Sequence, residues 1–258
     1  MLALQPDAVH VWTLDLSVPR DKEWLEGCHA LLGDAERTRM ARYAREDLQQ
    51  KYLLTRAMMR SCLSHYAGLA AEDWQFDTDA HGKPYLLNSP IPLSFNLSHS
   101  GERAVFVVAH QIPVGIDVEQ ASRKSNFLGI AEHFFHPDEA EQLKTLPAAE
   151  QQELFFQWWT LKEAYLKARG TGIATGLEKV CFYRSHTAIK ARFAPELMDD
   201  ANAWRFCNYR LDNNYYLALA VKPSVAEQLE VIFYESWPLS TQAPQRLADD
   251  ALPTLLLR

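Results

Sequence analysis

Two carboxylates in a short apolar segment are the first residues whose spacing predicts chemistry. Asp117 and Glu119 stand two positions apart in V-G-I-D-V-E at 114–119. Alternate side chains of an extended strand point to opposite faces, so these two share one face, with Cα atoms about 6–7 Å apart. Both can therefore reach one hard cation. An edge strand with a solvated acidic face is the alternative, and the pair alone does not distinguish the two.

A third carboxylate lies on the longest helical pattern of the chain, at 149–169. Glu163 and Lys167 interrupt a broad apolar surface that includes Trp158 and Trp159. Charged side chains seldom lie among aromatic ones without partners. Their i,i+4 spacing is also that of a surface ion pair contributing roughly a few tenths of a kcal/mol. Two interpretations stay open: such a surface pair, or a metal-binding carboxylate beside a phosphate-binding lysine.

Two other segments have a composition suited to phosphate. Ser98 and His99, followed by Ser100 and Gly101, combine hydroxyl, imidazole and backbone donors. Between positions 37 and 60 the chain carries seven basic residues against two acidic ones, a local balance of +5. A solvated helix face gives the same charge run, so a phosphate-binding role there needs support from elsewhere.

The elements that must position these residues follow from hydrophobic periodicity and turn signals. Helices are predicted at 34–67, 127–146 and 149–169. Strands are predicted at 9–16, 93–99, 104–109, 114–119, 180–183, 189–193, 204–209 and 215–221, with 93–99 and 104–109 forming a hairpin that has His99 at its tip.

This order of elements predicts the fold class and the domain organisation. Helices followed by antiparallel strands occur twice, which predicts an α+β chain of two similar halves. The predicted boundaries are 1–113 for the N-terminal half and 114–222 for the C-terminal half, which carries the carboxylates. Residues 223–258 are predicted to form a loosely attached C-terminal extension. No sequence identity between the halves is strong enough to define a repeat.

Composition and charge exclude several classes of protein. The net charge of −7 argues against bulk attraction to nucleic acid or to anionic membranes. No apolar run approaches the length of a membrane span, and the first residues lack the basic region of an export signal. The four cysteines are scattered without metal-ligand spacing, which favours reduced thiols. We therefore expect a cytoplasmic protein with neither nucleic-acid nor membrane partners.

Four motifs, in this order and spacing, resemble those of the 4′-phosphopantetheinyl transferases, in particular the larger surfactin-synthetase-activating type. The core W-x-x-K-E-x-x-x-K after G-[IV]-D-[IV]-E is highly specific, whereas G-K-P or S-H-S alone is a weak signal. The four motifs are HGKP at 81–84, FNLSHS at 95–100, GIDVE at 115–119 and WWTLKEAYLKARGTG at 158–172.

The resemblance implies a fold and an activity. It implies a monomer of two pseudo-symmetric α+β halves, each with helices packed on an antiparallel sheet, and coenzyme A in the cleft between them. The enzyme would be a holo-[acyl-carrier-protein] synthase. It would transfer the 4′-phosphopantetheine arm of coenzyme A to a serine of an apo acyl or peptidyl carrier protein, with Mg²⁺ on the pyrophosphate, and release adenosine 3′,5′-bisphosphate.

The resemblance also implies roles for individual residues. Asp117, Glu119 and Glu163 match the family's magnesium ligands, and Lys167 matches a lysine that contacts the reacting phosphates. Either Glu163 or a metal-bound water would take the serine proton. Lys83, Ser98 and His99 match groups that hold the nucleotide phosphates, while Arg39, Arg42 and Arg56 are candidates for the 3′-phosphate. Glu139 falls where the family often has another acidic residue near the metal.

Two rival functions and one unresolved surface remain at this point. A regulatory module that binds coenzyme A or a nucleotide without catalysis would keep the same pocket. A metal-dependent phosphodiesterase would also use three carboxylates and a histidine. Phe127, Leu128, Phe134 and Phe135 either dock a helix of the carrier or pack in the core.

Overall fold

A computed structural model describes residues 1–121, 126–172, 176–185, 188–212, 214–224, 229–240 and 242–257. By its internal contacts the chain divides into two compact units. Unit 1 comprises 1–111 and 230–251, and unit 2 comprises 112–229 and 252–258. Each unit contains helices and a four-stranded sheet, which confirms the predicted α+β class.

The described elements follow the predicted order closely. The helices are α1 (Lys22–Leu31), α2 (Asp34–Met40), α3 (Glu46–Ser64), α4 (Phe127–Phe134), α5 (Pro137–Thr145) and α6 (Ala148–Arg169). The strands are β1 (Ala8–Asp15), β2 (Phe76–Thr78), β3 (Pro84–Leu86), β4 (Leu93–Ser100), β5 (Arg103–His110), β6 (Val114–Gln120), β7 (Val180–Ser185), β8 (Ala188–Phe193), β9 (Arg205–Leu211), β10 (Tyr215–Val221), β11 (Glu230–Glu235) and β12 (Thr254–Leu257).

Unit 1 is built on a sheet in the order β11-β1-β5-β4. Its central strands are apolar because both faces are covered, and Trp12, Met58 and Phe106 lie in the core they form with α3. Trp12 also donates a hydrogen bond from its indole to the Tyr66 hydroxyl, so its one polar atom is satisfied in the core.

The basic segment of unit 1 forms two helices where the periodicity predicts one. Arg45 has an extended backbone, φ −110° and ψ 132°, and α3 begins after it. The break lets α2 run separately, so that Glu36 reaches the buried guanidinium of Arg60 at 2.7 Å. Arg60 also donates to the carbonyl oxygens of Ala71 and Trp74. The pair across the break gives the buried guanidinium of Arg60 a counter-charge.

Unit 2 has an antiparallel sheet in the order β12-β9-β10-β6, and α6 packs on β6 and β10. Phe155, Leu161 and Phe206 lie in its core. The helical pattern at 127–146 divides into α4 and α5, since Pro137 starts a new helix that His136 caps. Within the described chain no helix, the 22-residue α6 included, is long and apolar enough to cross a membrane.

The residues after Pro223 correct the prediction of a loosely attached extension at 223–258. Strand β11 pairs in parallel with β1 in unit 1, and β12 pairs with β9 in unit 2. Acidic and proline-rich stretches surround these strands and dominate the composition of this region, so the composition does not indicate the strands. Both strands close a sheet edge, and such pairing depends on distant partners that local periodicity does not reveal.

Candidate metal centre and phosphate-binding residues

The candidate metal centre depends on an unusually close approach of α6 to β6. A Cβ atom placed on Gly115 would lie 2.0 Å from the carbonyl oxygen of Ala164 and 2.5 Å from the nitrogen of Ala168. Only glycine fits this position, because the helix and strand backbones touch there. The atoms across this contact belong to the backbone of Ala164 and Ala168, and both alanines are buried. Periodicity does not predict this contact, although the glycine of G-I-D-V-E and the A-x-x-x-A spacing of Ala164 and Ala168 are its signals in the sequence.

This approach brings together the predicted carboxylates and lysine. Asp117 on β6 and Glu163 on α6 are 3% and 5% exposed. Lys167 donates a hydrogen bond of 2.5 Å to Asp117 Oδ1. Lys167, four residues after Glu163 on the helix, is thus in an ion pair with Asp117 of the strand. An ordinary solvated helix pair does not describe this arrangement.

The surroundings of Glu163 disfavour the charged form of its carboxyl group. Burial raises the pKa of Glu163 to about 7; Asp117 raises it further, Lys167 opposes this, and Glu119 adds to the rise. In the described chain its buried Oε1 atom has no hydrogen-bond partner. Oxygen ligands of this kind are those that Mg²⁺ prefers, so Asp117, Glu119 and Glu163 fit a hard divalent cation.

Glu139 lies elsewhere in the packing than the resemblance implies. It is 1% exposed and pairs with the Nζ atom of Lys162 at 2.7 Å. Its carboxylate also accepts hydrogen bonds from the backbone nitrogens of Phe182 and His136. Lys162 is fully buried and donates in addition to the carbonyl oxygens of Leu177 and Val180. Both Glu139 oxygens are occupied within the fold, so we assign this residue to the structure and not to the metal.

The hairpin of β4 and β5 positions Ser98 and His99. Ser98 pairs with Val105 and His99 with Ala104, close to the turn at Gly101, whose φ is +54°. Lys51 of α3 braces this turn by donating to the Gly101 carbonyl at 2.9 Å and to Glu102 at 2.7 Å. His99 is exposed, as predicted for a residue at the hairpin tip.

Lys83 follows the turn that joins β2 to β3. The carboxylate of Asp79 accepts from the backbone nitrogens of His81 and Lys83, each at 2.9 Å, and Gly82 has φ +82°. This turn fixes the backbone of Lys83 independently of its side chain. Burial lowers the pKa of Lys83, and Asp79 partly opposes that change.

The basic segment separates into two groups of residues. Four of its seven basic residues pair with carboxylates: Arg37 with Asp34, Arg45 with Asp47, Lys51 with Glu102 and Arg60 with Glu36. In the chain as described, the other three, Arg39, Arg42 and Arg56, form no ion pair. These are the three predicted to hold the 3′-phosphate.

The unpaired arginines also lie close to one another. The guanidinium carbons of Arg39 and Arg56 are 5.9 and 5.1 Å from the centre of the Tyr52 ring. Arg39 and Arg42 line a pocket of about 680 Å³ together with Tyr43. The Nε atom of Arg56 is buried without a partner among the described residues. Guanidinium donors that form no ion pair among the described residues suit a bound phosphate.

The residues considered for carrier docking have different exposures. Phe135 is 3% exposed and stacks on Phe155 in the core of unit 2, so packing explains it. Phe127 and Leu128 are half-buried against the same core. Phe134, at the end of α4, is 44% exposed. Phe134 is therefore the most exposed of the four residues.

Comparison with known proteins gives two family matches and several full-length relatives. Residues 113–220 match the 4′-phosphopantetheinyl transferase superfamily, and residues 18–111 match the family described as 4′-phosphopantetheinyl transferase, N-terminal. The chain is 35% identical over 222 residues to the 4′-phosphopantetheinyl transferase HetI of Nostoc sp. strain PCC 7120, covering 85% of this chain and 90% of HetI. It is 27% identical over 226 residues to the transferase Sfp of Bacillus subtilis strain 168, covering 87% of this chain and 98% of Sfp.

Proposed function

Because the chain belongs to the 4′-phosphopantetheinyl transferase superfamily, we propose that Asp117, Glu119 and Glu163 hold the Mg²⁺ ion of its reaction. The enzyme transfers the 4′-phosphopantetheine arm of coenzyme A to a serine of a carrier protein. The observation that carries the metal assignment is the close approach of α6 to β6 at Gly115, with the partnerless Oε1 atom of Glu163 beside Asp117.

The residues of this centre supply positioning and charge. Phosphoryl transfer depends on alignment and on neutralising charge more than on covalent catalysis. A bound Mg²⁺ would supply a hard positive charge to the pyrophosphate oxygens. Lys167, held at Asp117 in the free enzyme, donates to the reacting phosphate groups when coenzyme A is present.

Glu163 acts on the proton of the acceptor serine. The serine Oγ atom forms a bond to the phosphorus that carries pantetheine, while the bond from that phosphorus to the bridging oxygen breaks. Adenosine 3′,5′-bisphosphate leaves with the bridging oxygen. The serine hydroxyl is a poor nucleophile at neutral pH, so a base is needed, and Glu163 accepts its proton.

Unit 1 supplies the contacts to the nucleotide. Lys83, Ser98 and His99 bind its phosphates, and Arg39, Arg42 and Arg56 bind the 3′-phosphate. The support for the arginines is that they are the three basic residues of the 37–60 segment without a carboxylate partner among the described residues.

We further propose a setting for the reaction. The enzyme works as a cytoplasmic monomer on an acyl or peptidyl carrier protein, with neither nucleic acid nor a membrane as partner. The negative net charge and the absence of a membrane-spanning helix among the described residues support this setting.

The proposed function is tested by mass spectrometry of an apo-carrier protein incubated with the enzyme, coenzyme A and Mg²⁺. Transfer raises the carrier mass by one phosphopantetheine arm, and chelation of Mg²⁺ stops it. Hydrolysis of coenzyme A with an unchanged carrier would identify a phosphodiesterase instead. Binding of coenzyme A with neither reaction would identify a regulatory module.

The 3′-phosphate assignment is tested by comparing coenzyme A with 3′-dephospho-coenzyme A. Arg42→Ala should raise KM for coenzyme A by about 10- to 100-fold, the effect of losing a charge-assisted contact, and leave KM for the dephospho form unchanged. Arg37→Ala is the matched control because Arg37 already pairs with Asp34. An equal rise for both substrates would place Arg42 away from the 3′-phosphate.

A further inference from the structure

A second cluster of potential ligands lies at the start of α5 and on β7. His136, Asp138 and Cys181 each offer one ligand atom, and these atoms lie within 4.8 Å of one another. Imidazole, carboxylate and thiolate are the ligand types that Zn²⁺ uses, and thiolate selects against Mg²⁺. We propose that His136, Asp138 and Cys181 form a site for a transition-metal ion of the Zn²⁺ class, separate from the carboxylate centre.

The elements that carry these ligands are already fixed against each other. His136 caps α5, and its Nδ1 atom accepts from the backbone nitrogen of Asp138 at 3.2 Å. Glu139, one residue further along, accepts from the backbone nitrogen of Phe182 at 2.8 Å. That bond holds the first turn of α5 against β7 beside Cys181. The site is therefore preorganised by the fold, and its three ligands come from two elements.

Arg192 of β8 supplies a positive charge next to two of the proposed ligands. Its guanidinium donates to Asp138 Oδ2 at 2.6 Å and to Cys181 Sγ at 3.4 Å, so it bridges two of the three ligands. The side chain of Arg192 is 61% exposed and can move into solvent, and an exposed ion pair of this kind contributes little stability. Binding of a divalent metal ion would replace the single positive charge of the Arg192 guanidinium by two positive charges.

Three protein ligands leave a fourth position on a tetrahedral ion, which water can take. The metal would join α5 to β7 at the place where Glu139 and Lys162 already connect them. Since the ion binds the folded chain, it should raise the Tm of the protein in a concentration-dependent manner.

Cobalt titration of the full chain tests the site, with Mg²⁺ in excess so that the carboxylate centre is filled. Co²⁺ bound to a thiolate gives a sulfur-to-metal charge-transfer band that oxygen ligands do not give. We expect one equivalent of Co²⁺ to produce this band and Zn²⁺ to remove it. Absence of the band in the parent protein would overturn the proposal.

Variants identify the ligands independently of transfer activity. Cys181→Ser should abolish the band and weaken Co²⁺ binding by at least about 10-fold. Arg192→Ala should tighten binding several-fold, because the competing cation is gone, and this holds even if the Cys181 variant fails to fold. Cys207→Ser, a buried cysteine of β9, should leave the band unchanged. A band that persists in Cys181→Ser, or an Arg192→Ala variant with unchanged affinity, would contradict the assignment.

Discussion

Lys162 and Glu163 are neighbours on α6, yet their surroundings differ completely. Lys162 is fully buried, pairs with Glu139 and donates to two backbone carbonyl oxygens. Glu163 is also buried, but it faces Asp117 and Glu119, and its Oε1 atom has no hydrogen-bond partner among the described residues.

The difference separates a structural charge from a functional one. Lys162 and Glu139 satisfy each other, so removing either partner leaves an uncompensated charge in the core. In the proposed reaction, the cluster at Glu163 would gain its charge balance from a cation and a phosphate-bearing substrate. Burial does not distinguish the two residues, whereas the number of satisfied polar atoms does.

The largest expected effect is on catalysis. Glu163→Gln removes the proposed base and one metal ligand, and should lower the rate of phosphopantetheine transfer by at least about 10³-fold, since several interactions are lost together. Its Tm should stay equal or rise, because a repelled carboxylate becomes neutral. Carrier mass spectrometry and a thermal melt measure the two quantities.

Glu150→Gln makes the same change at an exposed position of α6 and should alter neither quantity. A fall in Tm with normal transfer in Glu163→Gln would mean that Glu163 belongs with Lys162 as a structural residue.

Lys162→Met should have the opposite signature. Loss of the ammonium group leaves Glu139 in the core without a counter-charge. This should lower the free energy of unfolding by about 3–5 kcal/mol, measured by urea denaturation. The double variant Lys162→Met with Glu139→Leu should recover most of that loss, because no buried charge remains. If the Lys162→Met protein had the stability of the parent, Lys162 would not be the structural charge that distinguishes it from Glu163.

Gly115→Ala tests the contact that assembles the centre. The added methyl group would meet the Ala164 carbonyl and must push α6 away from β6, which should reduce stability by about 1–3 kcal/mol. Transfer should fall as well, since Glu163 and Lys167 move from Asp117. Gly68→Ala is the control, because nothing lies within 4 Å of its added Cβ. Unchanged transfer in Gly115→Ala would show that the centre tolerates the displacement.

His10 is a third kind of buried ionisable group, and its effect appears only when the pH changes. Burial lowers the pKa of His10 to about 4, and Arg246 lowers it further. The unfolded chain therefore binds the proton more tightly than the folded one. Stability from this group is complete above pH 6.5 and is lost as the pH falls from 6.5 towards 4. About 2 kcal/mol should be lost between pH 7.5 and pH 5.

The measurement compares urea denaturation of the parent and of His10→Gln at these two pH values. The loss between them should be smaller in the variant by that amount, while His81→Gln, at an exposed position, should behave like the parent. Equal losses in parent and His10→Gln would exclude His10 as the source.

Strong local signals account for what the sequence predicts correctly. The strand carrying Asp117 and the long helix carrying Glu163 have clear periods, and both lie within about a residue of their predicted ends. The same alternation predicted that Asp117 and Glu119 share one face of the strand. Periodicity and alternation are properties of short stretches of sequence, and the folded chain keeps them.

What the sequence did not reveal depends on partners far along the chain. The break between α2 and α3 reflects the pair of Arg60 with Glu36, and the periodicity of the segment continues through it. Charge and composition alone do not separate Arg39, Arg42 and Arg56 from the four paired basic residues; the family resemblance singled them out, and the structure adds that the other four have carboxylate partners. The position of Glu139 in the family motif implied an acidic residue near the metal, and only the fold shows that Lys162 pairs with it.

The course of the last thirty residues constrains how the protein is made. The chain passes from unit 1 to unit 2 at 111/112, back at 229/230, and again at 251/252. The sheet that contains β1 is therefore complete only when β11, more than two hundred residues later in the chain, has been added. During synthesis the edge of β1 stays open until most of the polypeptide has been made, and no single continuous segment contains either unit.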